Sequence, residues 1–323
     1  MTSLEWNYLV PGTADDPGWS HSGIAVTDSG VVIFAEPSGG GLILYRPGPD
    51  SVGGVEHRAV PLLEIHGIFY SHDDAGEVLW LADPGFKARR ELGYETESAP
   101  GQAGSLDLAT FEFTALPAPP LSPTGNAWEP TSVVATRLDS APLAIVADGY
   151  GASLVHFYSD GVLVRTIDGS ESGTVFACPH GLVIDDRSGH PQLIVADRGN
   201  RRLVFFELDG SFIRTLVDPL FTSPSSLAIR GDDLLVTELD GALLAVSLLA
   251  DTAADVVRAL IETRSQRDRP GWPNAERGGS LERPPLEPGM LNSPHGLAVG
   301  PDARIYLTEW LIGGRQLELT LHE

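Results

Sequence analysis

The sequence contains one cysteine, Cys178, in 323 residues. No intrachain disulfide can therefore brace it, and a reducing, cytoplasmic location is expected. Positive charge is scarce: 21 lysines and arginines face 44 acids, a formal net charge of −23. Nucleic acid and anionic membrane both reward basic residues, so neither is an expected partner. No apolar run approaches the length of a transmembrane helix, and the opening MTSLEWNYLV shows no basic stretch followed by an apolar one, as a secretory leader would. Helical 3.6-residue spacing is missing too, which excludes a helical solenoid. Glycine and proline, the residues of tight turns, are plentiful at 36 and 25.

What fills the chain is one unit repeated six times. Each copy has a small residue, an alternating apolar strand, a turn, and a β-branched strand ending in an acid. The six acids are Glu36, Asp83, Asp148, Asp197, Glu238 and Glu309. Further strands follow most copies, such as LVFFEL (203–208) and FIRTLV (212–217), joined by the turn Asp209-Gly210. Four short antiparallel strands repeating at roughly 45–50 residues make a propeller blade. The expected fold is all-β: one six-bladed β-propeller domain spanning 1–323. The last copy has only three strands, ending with 315–322. The lone strand from Leu4 to Val10 is expected to supply its fourth, which would leave no open sheet edge.

In a blade the first strand lines the channel and the second runs back beside it. The start of the first and the end of the second thus meet on one face. His21, His66, Thr131, His180, Ser225 and His295 stand at the six first-strand starts. His66, His180 and His295 come from alternate blades and are expected to surround the channel axis. Three such imidazoles make an open site for Zn2+ or another divalent transition metal. The plainer alternative is that His-Gly is this repeat's way of starting a strand. Two rim insertions, about 84–104 and 263–292, are expected on the same face as walls or lids. The first carries Lys87, Arg89, Arg90 and Tyr94.

The stretch HGLVIDDRSGHPQLIVADRGNRRLVFFELDG (180–210) resembles an NHL repeat. HGIFY with His66, CPHGLVI with His180 and SPHGLAV with His295 together resemble the catalytic core of the peptidyl-hydroxyglycine lyases. That resemblance implies zinc on the three histidines. It also implies a tyrosine base at Tyr150, in Asp148-Gly149-Tyr150, and a supporting arginine at Arg198, in Ala196-Asp197-Arg198. A cation and a metal beside Tyr150 would lower its pKa toward a phenolate base.

The sequence departs from the family at Glu36, where an arginine is usual, at Ser293 for a methionine, and at Gly296 for a calcium-binding acid. Structural Ca2+ is accordingly not expected. His21, Glu36, Arg89, Arg90, Glu238 and Glu309 are the candidate contacts to substrate. The acids ending the second strands are otherwise expected to bond backbone N–H groups of adjoining turns.

The expected activity is that of a metal-dependent lyase or hydrolase on a small-molecule or peptide-like polar substrate, by C–N cleavage in the lyase case. The alternatives are a lactonase-like hydrolase using channel calcium and a non-catalytic protein-binding propeller.

Overall fold

The computed structural model describes residues 3–9, 18–48, 53–73, 76–120, 127–247, 255–264 and 267–322. Its strands form six four-stranded antiparallel sheets arranged as a β-propeller. Blade 1 runs through Ile24–Val26, Val32–Ala35, Gly41–Arg46 and Gly54–Ala59. Blade 2 uses Gly67–Asp73, Gly76–Asp83, Gln102–Asp107 and Phe113–Ala115. Blades 3, 4 and 5 begin with Ser132–Leu138, Pro179–Asp185 and Pro224–Arg230. Blade 6 consists of Pro294–Val299, Ile305–Glu309, Arg315–His322 and, outermost, Ser3–Tyr8. The N-terminal strand pairs antiparallel with the C-terminal one, Leu4 opposite Leu321 and Tyr8 opposite Leu317. Val10, expected to end that strand, lies outside the described residues.

Strands hold this shape because their alternate residues are buried against the neighbouring blade. Six apolar clusters result, one at each junction. Phe157 and Phe206 pack between blades 3 and 4, Phe205 and Leu244 between blades 4 and 5, and Leu243 and Leu307 between blades 5 and 6. Phe34 and Tyr306 join blade 1 to blade 6, while the two remaining clusters join blades 1 to 2 and 2 to 3. Burial at about 25 cal/mol per Å2 of apolar surface makes these junctions the main stabilising element.

The six first strands surround a channel cavity of about 230 Å3. Among the described residues, no helix is long and apolar enough to cross a membrane.

Candidate active site at the channel mouth

The acids ending the second strands clamp the chain just ahead of each first strand. Asp83 accepts from Leu63 N–H at 2.6 Å, Asp148 from Glu129 N–H at 2.8 Å and Asp197 from Ala177 N–H at 2.8 Å. Glu238 accepts from Thr222 N–H at 2.7 Å, and Glu309 from Asn292 N–H at 2.6 Å. Glu309 is also paired with Arg315 at 2.6 Å. Glu238 and Glu309 are buried where they hold these backbone N–H groups. Glu36 bonds the ring of His57 through Oε1 at 3.0 Å.

Held this way, the histidines converge. His66 Nδ1 donates to the Thr131 carbonyl at 2.6 Å, His180 Nδ1 to that of Ser225 at 3.0 Å, and His295 Nδ1 to that of Ser22 at 3.1 Å. In each case the carbonyl belongs to the next blade. The glycine after each histidine makes this approach possible. A Cβ on Gly67 would lie 2.8 Å from Thr131 O, one on Gly181 2.2 Å from Ser225 O, and one on Gly296 2.8 Å from Ser22 O. Strand irregularities between Pro179 and Gly181 and between Pro294 and Leu297 help aim His180 and His295 inward.

A carbonyl can only accept, so each Nδ1 carries the proton and each Nε2 presents a lone pair to the axis. Nε2 of His66 and Nε2 of His295 are 3.0 Å apart. The Tyr150 hydroxyl lies 3.1 Å from Nε2 of His21, of His66 and of His180. Burial keeps these rings neutral, holding His295 down to about 3 and the other three well below the usual histidine value.

Four histidines therefore meet where three were expected. The tightest grouping of possible ligand atoms is His21, His66 and His295, all within 4.8 Å of one another. His180 joins the same centre through Tyr150. The reason lies in blade 1, where Trp19–Ser20 pairs with Leu311–Ile312. That short ladder, ahead of the strand proper, carries His21 to the axis between blades 6 and 2.

Such a donor set fits a divalent transition metal. Zinc bound at about 2.0–2.1 Å by tetrahedral imidazoles separates their nitrogens by roughly 3.3 Å, close to the His66–His295 spacing. Two lone pairs facing each other at 3.0 Å are otherwise repulsive, and both Nδ1 protons are already committed.

Arg198 stands beside Tyr150, its guanidinium carbon 5.4 Å from the ring centre, and its Nη2 donates to Cys178 Sγ at 3.2 Å. The expected lowering of the Tyr150 pKa is not what the chain alone produces. Burial raises it to about 12, outweighing Arg198, which lowers it.

Of the insertions, Phe86–Arg89 and Glu95–Ser98 form a hairpin over the site. Phe86 lies 5.5 Å from the Tyr150 ring. Arg89 is tied to Glu97 at 2.6 Å and to the Ser38 carbonyl at 2.6 Å. Arg90 is exposed in the short turn Arg90–Leu92. From the second insertion Trp272 packs edge-on against Trp310 at 6.1 Å, and Trp310 lies 5.5 Å from His21. Trp19, Phe86, Trp310 and Glu64 carry no recognisable motif: Trp19 and Glu64 stand two residues before His21 and His66, and Trp310 directly follows Glu309. Their one signal is proximity in sequence to a site residue, as with Trp19 before His21.

No protein-family model matches the sequence, and no curated protein matches it. Solved structures of the same fold do. A streptogramin B lyase is similar with a TM-score of 0.60 at 14% identity, over 99% of this chain and 98% of that one. A catalytically inactive histidine-to-alanine variant of virginiamycin B lyase from Staphylococcus aureus, with quinupristin, gives 0.56 at 11% identity over all of both chains. The soluble aldose sugar dehydrogenase from Escherichia coli in its apo-form gives 0.55 at 14% identity, over 98% of this chain and 99% of that one. Identities this low establish the shared propeller and leave the chemistry to the site.

Proposed function

We propose that this chain is a metal-dependent lyase, akin to the peptidyl-hydroxyglycine lyases, that breaks a C–N bond in a small polar substrate at the channel mouth. The observation that carries the reading is the pair of opposed Nε2 atoms of His66 and His295, 3.0 Å apart, with each Nδ1 proton committed to a carbonyl. A cation among the histidines removes that repulsion. His66, His295 and His21 or His180 would hold it, most simply as zinc.

When bound, a divalent cation supplies positive charge that polarises a substrate oxygen and offsets the burial that raises Tyr150. Tyr150 has its hydroxyl among the histidines and is the group positioned to take a proton. From a carbinolamide it takes the hydroxyl proton as the carbon–nitrogen bond breaks. The bonding pair leaves with nitrogen, which is then protonated, and an aldehyde and an amide are released. Arg198 favours the phenolate charge that forms on the way.

The similar structures described as lyases are examples of a lyase built on this fold, and one of them is inactive as a histidine-to-alanine variant. Channel calcium of the lactonase kind has less support, because the second-strand acids of blades 2 to 6 are occupied by backbone N–H groups.

Elemental analysis of untagged protein tests the reading, comparing the native chain with a His66→Ala, His295→Ala double variant. Near-stoichiometric transition metal lost in the folded variant supports it. No metal in either after reconstitution overturns it.

A further inference from the structure

Beside the histidine centre lies a second cavity of about 310 Å3, walled by Trp19, Phe86, Tyr94 and Trp310, with Glu64 and His21 also in its lining. We propose that it is the recognition subsite for the substrate, and that it takes a planar aromatic ring bearing an adjacent hydrogen-bond donor and acceptor, as in an aromatic amide.

The wall is built for a flat ring. Trp19 stacks on Trp310 at 5.5 Å and 28°, and Tyr94 meets Trp19 edge-on at 6.0 Å. Aromatic rings add offset-stacked and edge-to-face contacts that a saturated ring of equal size cannot make. The volume is at the lower end for small-molecule pockets and matches one substituted ring.

Two polar groups on lining residues are left without partners. Glu64 is 2% exposed; its Oε2 is held by Lys87 at 2.6 Å, while its Oε1 has no hydrogen bond. The Trp19 indole N–H has none either. Buried polar groups are normally satisfied, and a pair that is not marks where a ligand supplies the missing bonds. Glu64 calls for a donor and Trp19 for an acceptor, the two faces of a primary or secondary amide. A fixed cation is disfavoured, because Lys87 already neutralises Glu64.

The hairpin explains why the subsite is here. Its alternation places Phe86, Ala88 and Thr96 on the cavity side. Lys87, facing the other way, is anchored to Glu64 and to the Trp19 carbonyl, both at 2.6–2.7 Å. One face recognises and the other fixes the wall.

The inference rests on the lyase reading only in placing the reacting bond at the histidines; binding in the cavity needs no metal. Calorimetric titration of the full-length, metal-stripped protein with benzamide, cyclohexanecarboxamide and benzoate therefore tests it separately. Saturable benzamide binding at least fivefold tighter than either analogue is expected. Trp19→Phe, which keeps a ring and removes the N–H, should weaken it at least fivefold. Ala88→Phe, which fills the cavity from the hairpin, should abolish it. Circular dichroism melts confirm that the variants are folded. Benzamide that fails to saturate, that binds no better than cyclohexanecarboxamide, or that binds both folded variants as well as the native chain overturns the proposal. Binding without metal uptake by the native protein would sink the lyase reading and leave the subsite standing. Metal uptake without binding would do the reverse.

Discussion

The Nδ1–H of His66 is bonded at 2.6 Å to the carbonyl of Thr131, the residue just ahead of the next blade's first strand. One contact thus joins two blades, sets the tautomer of the imidazole and turns its Nε2 lone pair toward the axis. Gly67 makes it possible, since a side chain there would strike the same oxygen. His-Gly in this chain is at once a structural joint and a way of presenting a metal ligand.

Replacing these glycines should hurt both functions together. Gly67→Ala is expected to lose about 1–3 kcal/mol through overpacking against the carbonyl. Gly181→Ala, whose Cβ would come within 2.2 Å of Ser225 O, should lose more. Urea midpoints give the stability order, and zinc competition with a chromogenic chelator should show weaker binding in the same order. A stable variant with unchanged zinc affinity would refute the coupling.

Tyr150→Phe removes one hydroxyl from among three Nε2 atoms and leaves the ring in place. Zinc content should be retained, because the imidazoles keep their carbonyl partners. Turnover of N-(hydroxymethyl)benzamide to benzamide and formaldehyde should fall by about 10²–10⁴, the range of a lost general base. Full activity in the variant would remove Tyr150 from the chemistry.

Lys87 and Glu64 are both buried and 2.6 Å apart. Lys87→Met leaves a buried carboxylate without its partner and should cost about 3–5 kcal/mol. The double variant Lys87→Met, Glu64→Leu should recover most of that loss. Chemical denaturation of the native chain, Lys87→Met, Glu64→Leu and the double variant measures the coupling, and additive losses would contradict it.

His156 sits away from the channel mouth, bonded to Thr166 at 2.9 Å and edge-on to Trp128. Burial lowers its pKa to about 4. The unfolded chain therefore takes up its proton first as pH falls. The stability it contributes is present above its unfolded pKa and is lost between that value and about 4. His156→Leu should flatten the fall of unfolding free energy over this window by up to about 1.4 kcal/mol per pH unit, the value for one proton. An unchanged slope would mean that this ring titrates normally.

The blades were legible because each repeats the same alternation, and the turn Asp209-Gly210 separates its two strands where the pattern puts it. The convergence of histidines was legible for the same reason: His66, His180 and His295 hold one register. His21 was harder to place, since a two-residue ladder to Leu311–Ile312 decides how near the axis it comes. The recurring acid suggests a clamp on backbone N–H groups, but which groups Glu238 and Glu309 hold is fixed only by the positions of Thr222 and Asn292. The direction of the Tyr150 pKa was not readable, because a turn motif carries the nearby cation but not the depth of burial. The aromatic cavity could not be seen at all, being assembled from Trp19, Phe86, Tyr94 and Trp310, which no repeat relates.

Lys87 is the only lysine in the chain and its side chain is wholly shielded. Side-chain amine reactivity is therefore concentrated in one atom that a reagent reaches only when the hairpin parts from Glu64 and Trp19. Acylation at this position, followed by mass spectrometry, becomes an intrinsic clock for the opening of the cavity wall. Ligands that brace the hairpin should slow it, with no label or engineered probe required.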